Sequence, residues 1–300
     1  MNKFVLGSGI NGLIARHVLG PSYKIIPFKK SRYYSFNIPT ADAEIKRTDE
    51  TTKLLDDLAI NAIPLYFPVA VSLGGELLFN KKAWIGPVID KIYGDNPHPL
   101  ASHLLCNEGS AFIAAKFLHD LLLDKYSDEI KRNINTVVSS IKDHYIVIND
   151  KPTQYDSIIS TIPLNALMNI CGMQADLESS DYYLFLINTN FFNLEGAQRV
   201  FIGDKQIPFW KVNMIGDGLY QFFSNESVPF AEELFSRMTK NRYKIIAETS
   251  IKEAFPLGAP PAGILSRLEE DGITCIGSNA RWDYFYDIAT SIRKLFSVQQ

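Results

Sequence analysis

The 300-residue chain is poor in the residues on which many chemistries depend. It has three cysteines, Cys106, Cys171 and Cys275, far apart, outside any C-x-x-C pair and without a histidine at metal-ligand spacing. Such a set excludes a disulfide framework and a zinc site. It predicts a reducing, cytoplasmic setting in which Cys106 and Cys275, among apolar neighbours, are buried inert thiols. None of the five histidines (17, 98, 103, 119, 144) stands beside a serine or cysteine nucleophile with an orienting acid, so hydrolytic chemistry finds no support. No run reaches the roughly 18 apolar residues of a membrane-spanning helix. Charge of one sign is missing as well: 30 basic and 33 acidic residues leave a net charge of −3, with no case for a nucleic-acid or membrane partner. Residues 1–19 carry one lysine and then apolar residues, as a signal peptide does, but three glycines break the run and no convincing cleavage site follows. The remaining composition, 46% hydrophobic and 21% charged, is ordinary for a soluble globular chain able to bury a large core.

What is present begins at once. Gly7-Ser8-Gly9-Ile10-Asn11-Gly12 follows the apolar run Lys3–Leu6 and precedes Leu13, Ile14, Ala15, Val18 and Leu19 at helical spacing. Gly20-Pro21 stops that helix, and Tyr23–Phe28 is the next strand. This is a strand–helix–strand unit opened by a G-x-G-x-x-G turn. Gly7 permits the tight turn, Gly9 lets backbone amides approach a pyrophosphate, and Gly12 lets the helix pack against the strand. A carboxylate is expected at the end of the second strand to bind a ribose hydroxyl. Pro27-Phe28 stands there instead, followed by Lys29-Lys30. Two readings stay open: the basic pair receives a 2′-phosphate, or Phe28 packs on adenine while the ribose is held elsewhere.

Further along, the pattern predicts a helix near Asp49–Leu58, extended segments with a Gly74-Gly75 turn over Ile60–Phe79, and an amphipathic helix over Ser110–Leu123. A hairpin then feeds a buried strand at Tyr155–Ile162. Alternation in Tyr182–Asn188, Arg199–Ile202, Phe209–Met214 and Tyr220–Ser224 predicts a separate antiparallel sheet. Helices are expected at Glu232–Met238 and Arg242–Phe255, the latter with room for a short strand at Tyr243–Ile246. A strand at Ile273–Ile276 and a helix at Asp287–Leu295 end the chain. The nucleotide-binding pieces lie at the start, middle and end, so any second domain is inserted.

Two further stretches carry a resemblance. Residues 134–167 read INTVVSSIKDHYIVINDKPTQYDSIISTIPLNAL, and residues 272–292 read GITCIGSNARWDYFYDIATSI. With the glycine turn, in this chain order, they resemble the flavin-containing amine oxidoreductase superfamily, nearest its protoporphyrinogen oxidase and UDP-galactopyranose mutase-like branches, in a short form. The resemblance implies an α/β fold: a Rossmann-like FAD-binding domain with a parallel sheet (residues 1–60, 100–170 and 256–300) and an inserted, smaller α+β substrate domain with an antiparallel sheet (61–99 and 171–255).

It implies FAD as cofactor, bound by Gly7, Ser8, Gly9, Asn11 and Gly12, by Val138, Thr161 and Pro163, and by Gly277, Arg281, Trp282, Asp287 and Ile288. Lys29 and Arg32 join them, Ser31-Arg32 standing where the family usually has a glycine pair. A helix beginning near Asp287, capped by Asp287 or Thr290, would face the pyrimidine end of the flavin and favour its anionic reduced form through the helix dipole.

The implied activity is an FAD-dependent, amine oxidase-like oxidoreductase that moves a hydride from a C–N or C–C bond to flavin N5. Two alternatives are a non-redox, mutase-like enzyme acting on a nucleotide sugar, and a degenerate dinucleotide-binding protein. The mutase reading needs arginines for a diphosphate, and Arg281, Arg199 and Arg32 are the candidates. The substrate is a small molecule or a modified nucleotide. Lys211, Tyr284 and Arg281 are the catalytic candidates. Lys211 reads either as the lysine that hydrogen-bonds a flavin-bound water or as a solvated strand residue. Because Trp210 and Lys211 alternate, only one is expected to face the flavin. Tyr220, Phe222 and Tyr284 read either as core or as an aromatic slot over the isoalloxazine ring.

Overall fold

The structure is a computed structural model that describes residues 2–28, 44–61, 64–66, 68–79, 85–95, 110–113, 115–174, 177–190, 194–216, 218–225, 227–283 and 287–299. The candidates Lys29, Arg32 and Tyr284, and also Cys106, His98 and His103, lie outside the described residues.

The chain opens with strand β1 (Lys3–Leu6), helix α1 (Ile10–Leu19) and strand β2 (Tyr23–Ile26), as the glycine turn requires. β1 lies at the middle of a four-stranded parallel sheet, between β2 on one side and the Ser157–Ser160 strand on the other, with Ile273–Cys275 at the far edge. Alternation along these strands builds two cores. Val5, Ile25 and Ile159 pack with Leu13, Ile14, Leu54, Leu118 and Ile292 under helices, on one face. Phe4, Leu6, Ile158 and Cys275 pack on the other face with Ile146, Leu164, Leu268 and Trp282. Each such apolar side chain, withdrawn from water, contributes about 1.5–3 kcal/mol. That second face is covered by the three-stranded meander Val138–Lys142, Tyr145–Ile148 and Lys151–Gln154 and by the helices Leu164–Ile170 and Ile264–Glu270.

A second, seven-stranded sheet takes in Ser179–Asn188, Arg199–Ile202, Phe209–Gly216, Leu219–Ser224 and Lys244–Pro256, with Val69–Leu73 and Glu76–Leu78 at its far side. It is mixed rather than antiparallel, because Val69–Leu73, from much earlier in the chain, pairs parallel with Arg199–Ile202. Helix Ile85–Tyr93 covers one face, through Val88, Ile92 and Tyr93. Helix Ala231–Thr239 covers the other, through Phe235.

Two expected helices are corrected. Arg242–Phe255 is not helical: Lys244–Pro256 is a 13-residue strand paired along Ser179–Asn188. Its side chains alternate between exposed and half-buried from Lys244 to Ser250, a period of two that the charges had masked. The helix expected over Ser110–Leu123 begins only at Ala115 and runs to Lys125. Ser110–Ile113 is a strand held between Glu44–Lys46 and Pro64–Tyr66, partners remote in sequence that override local helix preference. No helix among the described residues is long and apolar enough to cross a membrane.

Candidate functional site

The order β2–β1–(Ser157–Ser160) makes β1 the point where the sheet's connections diverge, and ligands of open α/β sheets lie outside the carboxyl ends at such points. There the chain reaches Gly7. Its amide donates to the Ile26 carbonyl (2.9 Å), while Thr161, one residue beyond the neighbouring strand, donates from both its amide and its hydroxyl to the Leu6 carbonyl, each at 2.9 Å.

The space between these turns is filled to contact. Gly7 has φ +106°, and a Cβ there would collide with Thr161 Oγ1. A Cβ at Gly12 would strike the Gly7 carbonyl oxygen, so both positions demand glycine. Gly277, at φ +99° after the last strand, approaches from the other side, where a Cβ would come within 2.6 Å of the Asn11 amide nitrogen. Three remote segments therefore meet at one helix end. Gly9 caps α1 without a side-chain hydrogen bond, and no acidic residue occupies the first turn, so the partial positive charge of the helix end is not offset from within the helix. Asn11 Oδ1 is buried beside this cradle without a hydrogen-bond partner among the described residues. Ser8 is half-buried between the first two glycines.

The later segments supply the flanks. Val138 opens the meander and packs against the second core, and Pro163 stands at the N-cap of Leu164–Ile170. Asp287 caps the final helix, Ile288–Gln299: its Oδ1 accepts from the Thr290 amide and hydroxyl at 2.7 Å each. Ile288 begins that helix and packs on the first core. Arg281 reaches Glu269 (3.9 Å), which Lys294 also approaches at 3.6 Å. Trp282 is a strained residue, at φ +56° for a bulky side chain, and its ring is buried with the indole N–H unsatisfied among the described residues. Cys275 is buried, with its thiol pushed up to about 12 by desolvation first. Cys171 is half-buried and is pushed up to about 11, again chiefly by desolvation. Neither is an activated nucleophile.

The second sheet corrects the reading of Trp210 and Lys211. A register shift between Phe209 and Lys211 breaks the alternation, as a bulge does when one extra residue enters a strand. Both side chains consequently meet Phe223: the Trp210 ring lies 5.6 Å from it, and Lys211 Nζ stands 4.2 Å above it and 5.1 Å from Trp210. Lys211 is 2% exposed and so is not a solvated strand residue. Tyr220 and Phe222 belong to the opposite face, where Phe222 packs on Phe209 and Phe235; they share no slot with Lys211.

Sequence reasoning did not anticipate the row beside Lys211. Arg199 donates to Asn213 Oδ1 (3.0 Å), and the Asn213 amide reaches Gln221 Oε1 (3.5 Å), all three buried. The signal was present as polar residues at every second strand position, but only cross-strand pairing aligns them. The helix over this face ends at Tyr93, whose phenol is held well above its ordinary range by burial and then by the nearby Asp283 carboxylate. Tyr93, at the end of that helix, is thus within electrostatic reach of Asp283, the residue after Trp282.

No protein-family model and no curated protein matches this sequence. Solved structures match it along its whole length. A reduced UDP-galactopyranose mutase aligns with a TM-score of 0.67 at 12% identity, over 100% of this chain and 93% of that one. An oxidoreductase from Methanosarcina mazei aligns with a TM-score of 0.63 at 13% identity, over 99% of each. A putrescine oxidase variant with redesigned cofactor binding aligns with a TM-score of 0.51 at 15% identity, over 99% of this chain and 98% of that one. At such identities the architecture is what is shared, and from end to end the chain has the fold of the flavin amine oxidoreductases.

Proposed function

We propose that the chain binds FAD across the carboxyl ends of the parallel sheet and acts as an oxidoreductase on a small molecule. The observation that carries this is the meeting of Gly7, Gly12, Thr161 and Gly277 around an uncapped helix end, beside the unsatisfied Asn11 Oδ1. A pyrophosphate is bound by such backbone donors at a helix N-terminus. In this reading residues 1–60, 100–170 and 256–300 hold the cofactor, and 61–99 and 171–255 form the substrate domain. The amides of the first turn of α1 receive the phosphates. Asp287 fixes the start of the final helix, whose N-terminal dipole would favour negative charge on a reduced flavin held nearby. When bound, the flavin supplies the hydride acceptor, which few protein acids or bases need assist. Lys211, buried beside Trp210 and Phe223, is the side chain assigned to hold or move a proton at the substrate. The enclosure of its ammonium by Trp210 and Phe223 keeps water from competing.

One observation favours a second reading, a non-redox enzyme acting on a nucleotide sugar. Arg199 and Lys211 are two buried cations on one sheet face, an arrangement suited to a diphosphate. Anaerobic mixing with amine and nucleotide-sugar panels separates the two. Bleaching of the flavin band followed by peroxide on re-aeration marks the oxidoreductase, whereas turnover only after chemical reduction, without net oxidation, marks the mutase-like enzyme. A protein that takes up no FAD contradicts both.

A further inference from the structure

The second sheet carries a pocket of its own. It opens at the end where Phe209 and Ser224 pair, has a volume of about 680 Å³, and is walled by helix Ile85–Tyr93, the 205–208 loop, the stretch after Ser224 and helix Ala231–Thr239. No residue of the glycine cradle or of its flanking segments contributes to the wall. The volume is within the usual range for small-molecule sites, about 300–1,000 Å³.

Its chemistry is two-sided. Ile207, Val228 and Leu234 offer apolar walls, and Phe230, 71% exposed, stands at the rim. Among the described lining residues three are cationic, Lys91, Lys205 and Arg237, against the single carboxylate of Asp90. Lys91 is fixed in place: its ammonium donates to the Asp204 and Phe209 carbonyls at 2.7 and 2.6 Å. Burial lowers its pKa to about 8, with Asp204 opposing the shift, so an anion beside it relieves a cost already present in the fold. Arg237 pairs with Glu233 (3.1 Å), but both are well exposed, and such a pair is weak enough for a bound anion to displace. Asn225 is turned by its own hydrogen bonds. Its amide nitrogen donates to the Ile92 and Lys91 carbonyls at 2.7 and 3.3 Å, and Oδ1 is buried without a partner among the described residues.

We propose that this pocket binds an amphipathic organic anion, with a carboxylate, sulfonate or phosphate held among Lys91, Lys205 and Arg237 and an apolar body against Ile207, Val228 and Leu234. The site is independent of the cofactor reading, since its walls come wholly from the second sheet and its helices.

The test uses the whole protein, saturated with FAD where it takes FAD up, titrated with 8-anilinonaphthalene-1-sulfonate. The expected result is saturable enhancement of fluorescence with one probe per chain, reversed by decanoate and not by inorganic phosphate at equal concentration. The Lys205→Glu/Arg237→Glu double variant should weaken the probe by about tenfold, the size of one charge-assisted contact. Lys205→Met/Arg237→Met, altering only wall cations, should weaken it less, and supplies the comparison if the charge reversal unfolds the chain. Probe affinity should be the same with and without added FAD, which separates this pocket from the cradle even if the cofactor reading fails. Absence of saturable binding, affinity indifferent to both double variants, or displacement by phosphate as strong as by decanoate would overturn the proposal.

Discussion

The two sheets build their sites from different materials. At the parallel sheet the candidate site is made of backbone: glycines permit close packing, Thr161 stitches neighbouring turns together, and the end of α1 presents amides. At the seven-stranded sheet the candidate site is made of side chains. Arg199, Asn213, Gln221 and Lys211 are carried inward on three strands, and a register shift sets Lys211 beside Trp210. A backbone site tolerates no added atom, while a side-chain site tolerates changes of shape and loses chemistry instead.

Substituting the same residue type in both regions should break this contrast most sharply. Gly12→Ala forces a Cβ into the Gly7 carbonyl, and overpacking of this kind costs about 3 kcal/mol. Loss of FAD uptake, read by flavin released on denaturation, should accompany a lowered thermal midpoint. Gly75→Ala, on a turn of the second sheet at φ +81° with open space around it, should cost only about 1 kcal/mol and leave FAD uptake unchanged.

Next in size is Lys211→Met. Replacing a buried ammonium by an apolar chain of similar length should shift stability by only about 1 kcal/mol in either direction. Substrate-driven flavin reduction, followed by stopped flow, should slow by about 100-fold or more while flavin content holds. Equal loss of flavin and activity would instead make Lys211 a structural residue.

How far each region was legible follows from the same difference. Gly7, Gly9 and Gly12 sit within six residues and declare their role by spacing, because the turn they form is local. The approach of Gly277 to Asn11 was foreseeable only through the family resemblance, since 265 or so intervening residues hide it from any window. The bulge at Phe209–Lys211 left no mark in the sequence: strict alternation separated Trp210 from Lys211, and a single register shift reunited them. Ser110–Ile113 and the stretch Arg242–Phe255 suggest helix for a related reason. Their strand partners, Glu44–Lys46 and Ser179–Asn188, lie far away, and pairing outweighed local preference.

Smaller effects sharpen the edges of the picture. Asp287→Ala removes the bond to the Thr290 amide and should lower stability by about 1 kcal/mol, the usual worth of an N-cap. Asp287→Asn, which keeps an acceptor, should recover most of that loss in a denaturant titration. Lys91→Met should leave its mark in the pH dependence of stability. The Lys91 pKa is about 8 in the folded chain against an ordinary 10.5, so the unfolded chain binds more protons between these values. Its burial cost is therefore present in full below pH 8 and fades as pH rises toward 10.5. Thermal midpoints of wild type and Lys91→Met, compared across that window, should show the wild type gaining relative to the variant as pH rises. Parallel curves would mean that Lys91 is not desolvated.

The most direct test of the central claim is the visible absorption of the purified protein after incubation with FAD and removal of excess ligand. An oxidised-flavin spectrum at one FAD per chain is expected, absent from Gly12→Ala prepared in the same way. A colourless wild-type protein, or equal FAD retention by Gly12→Ala, would contradict that claim.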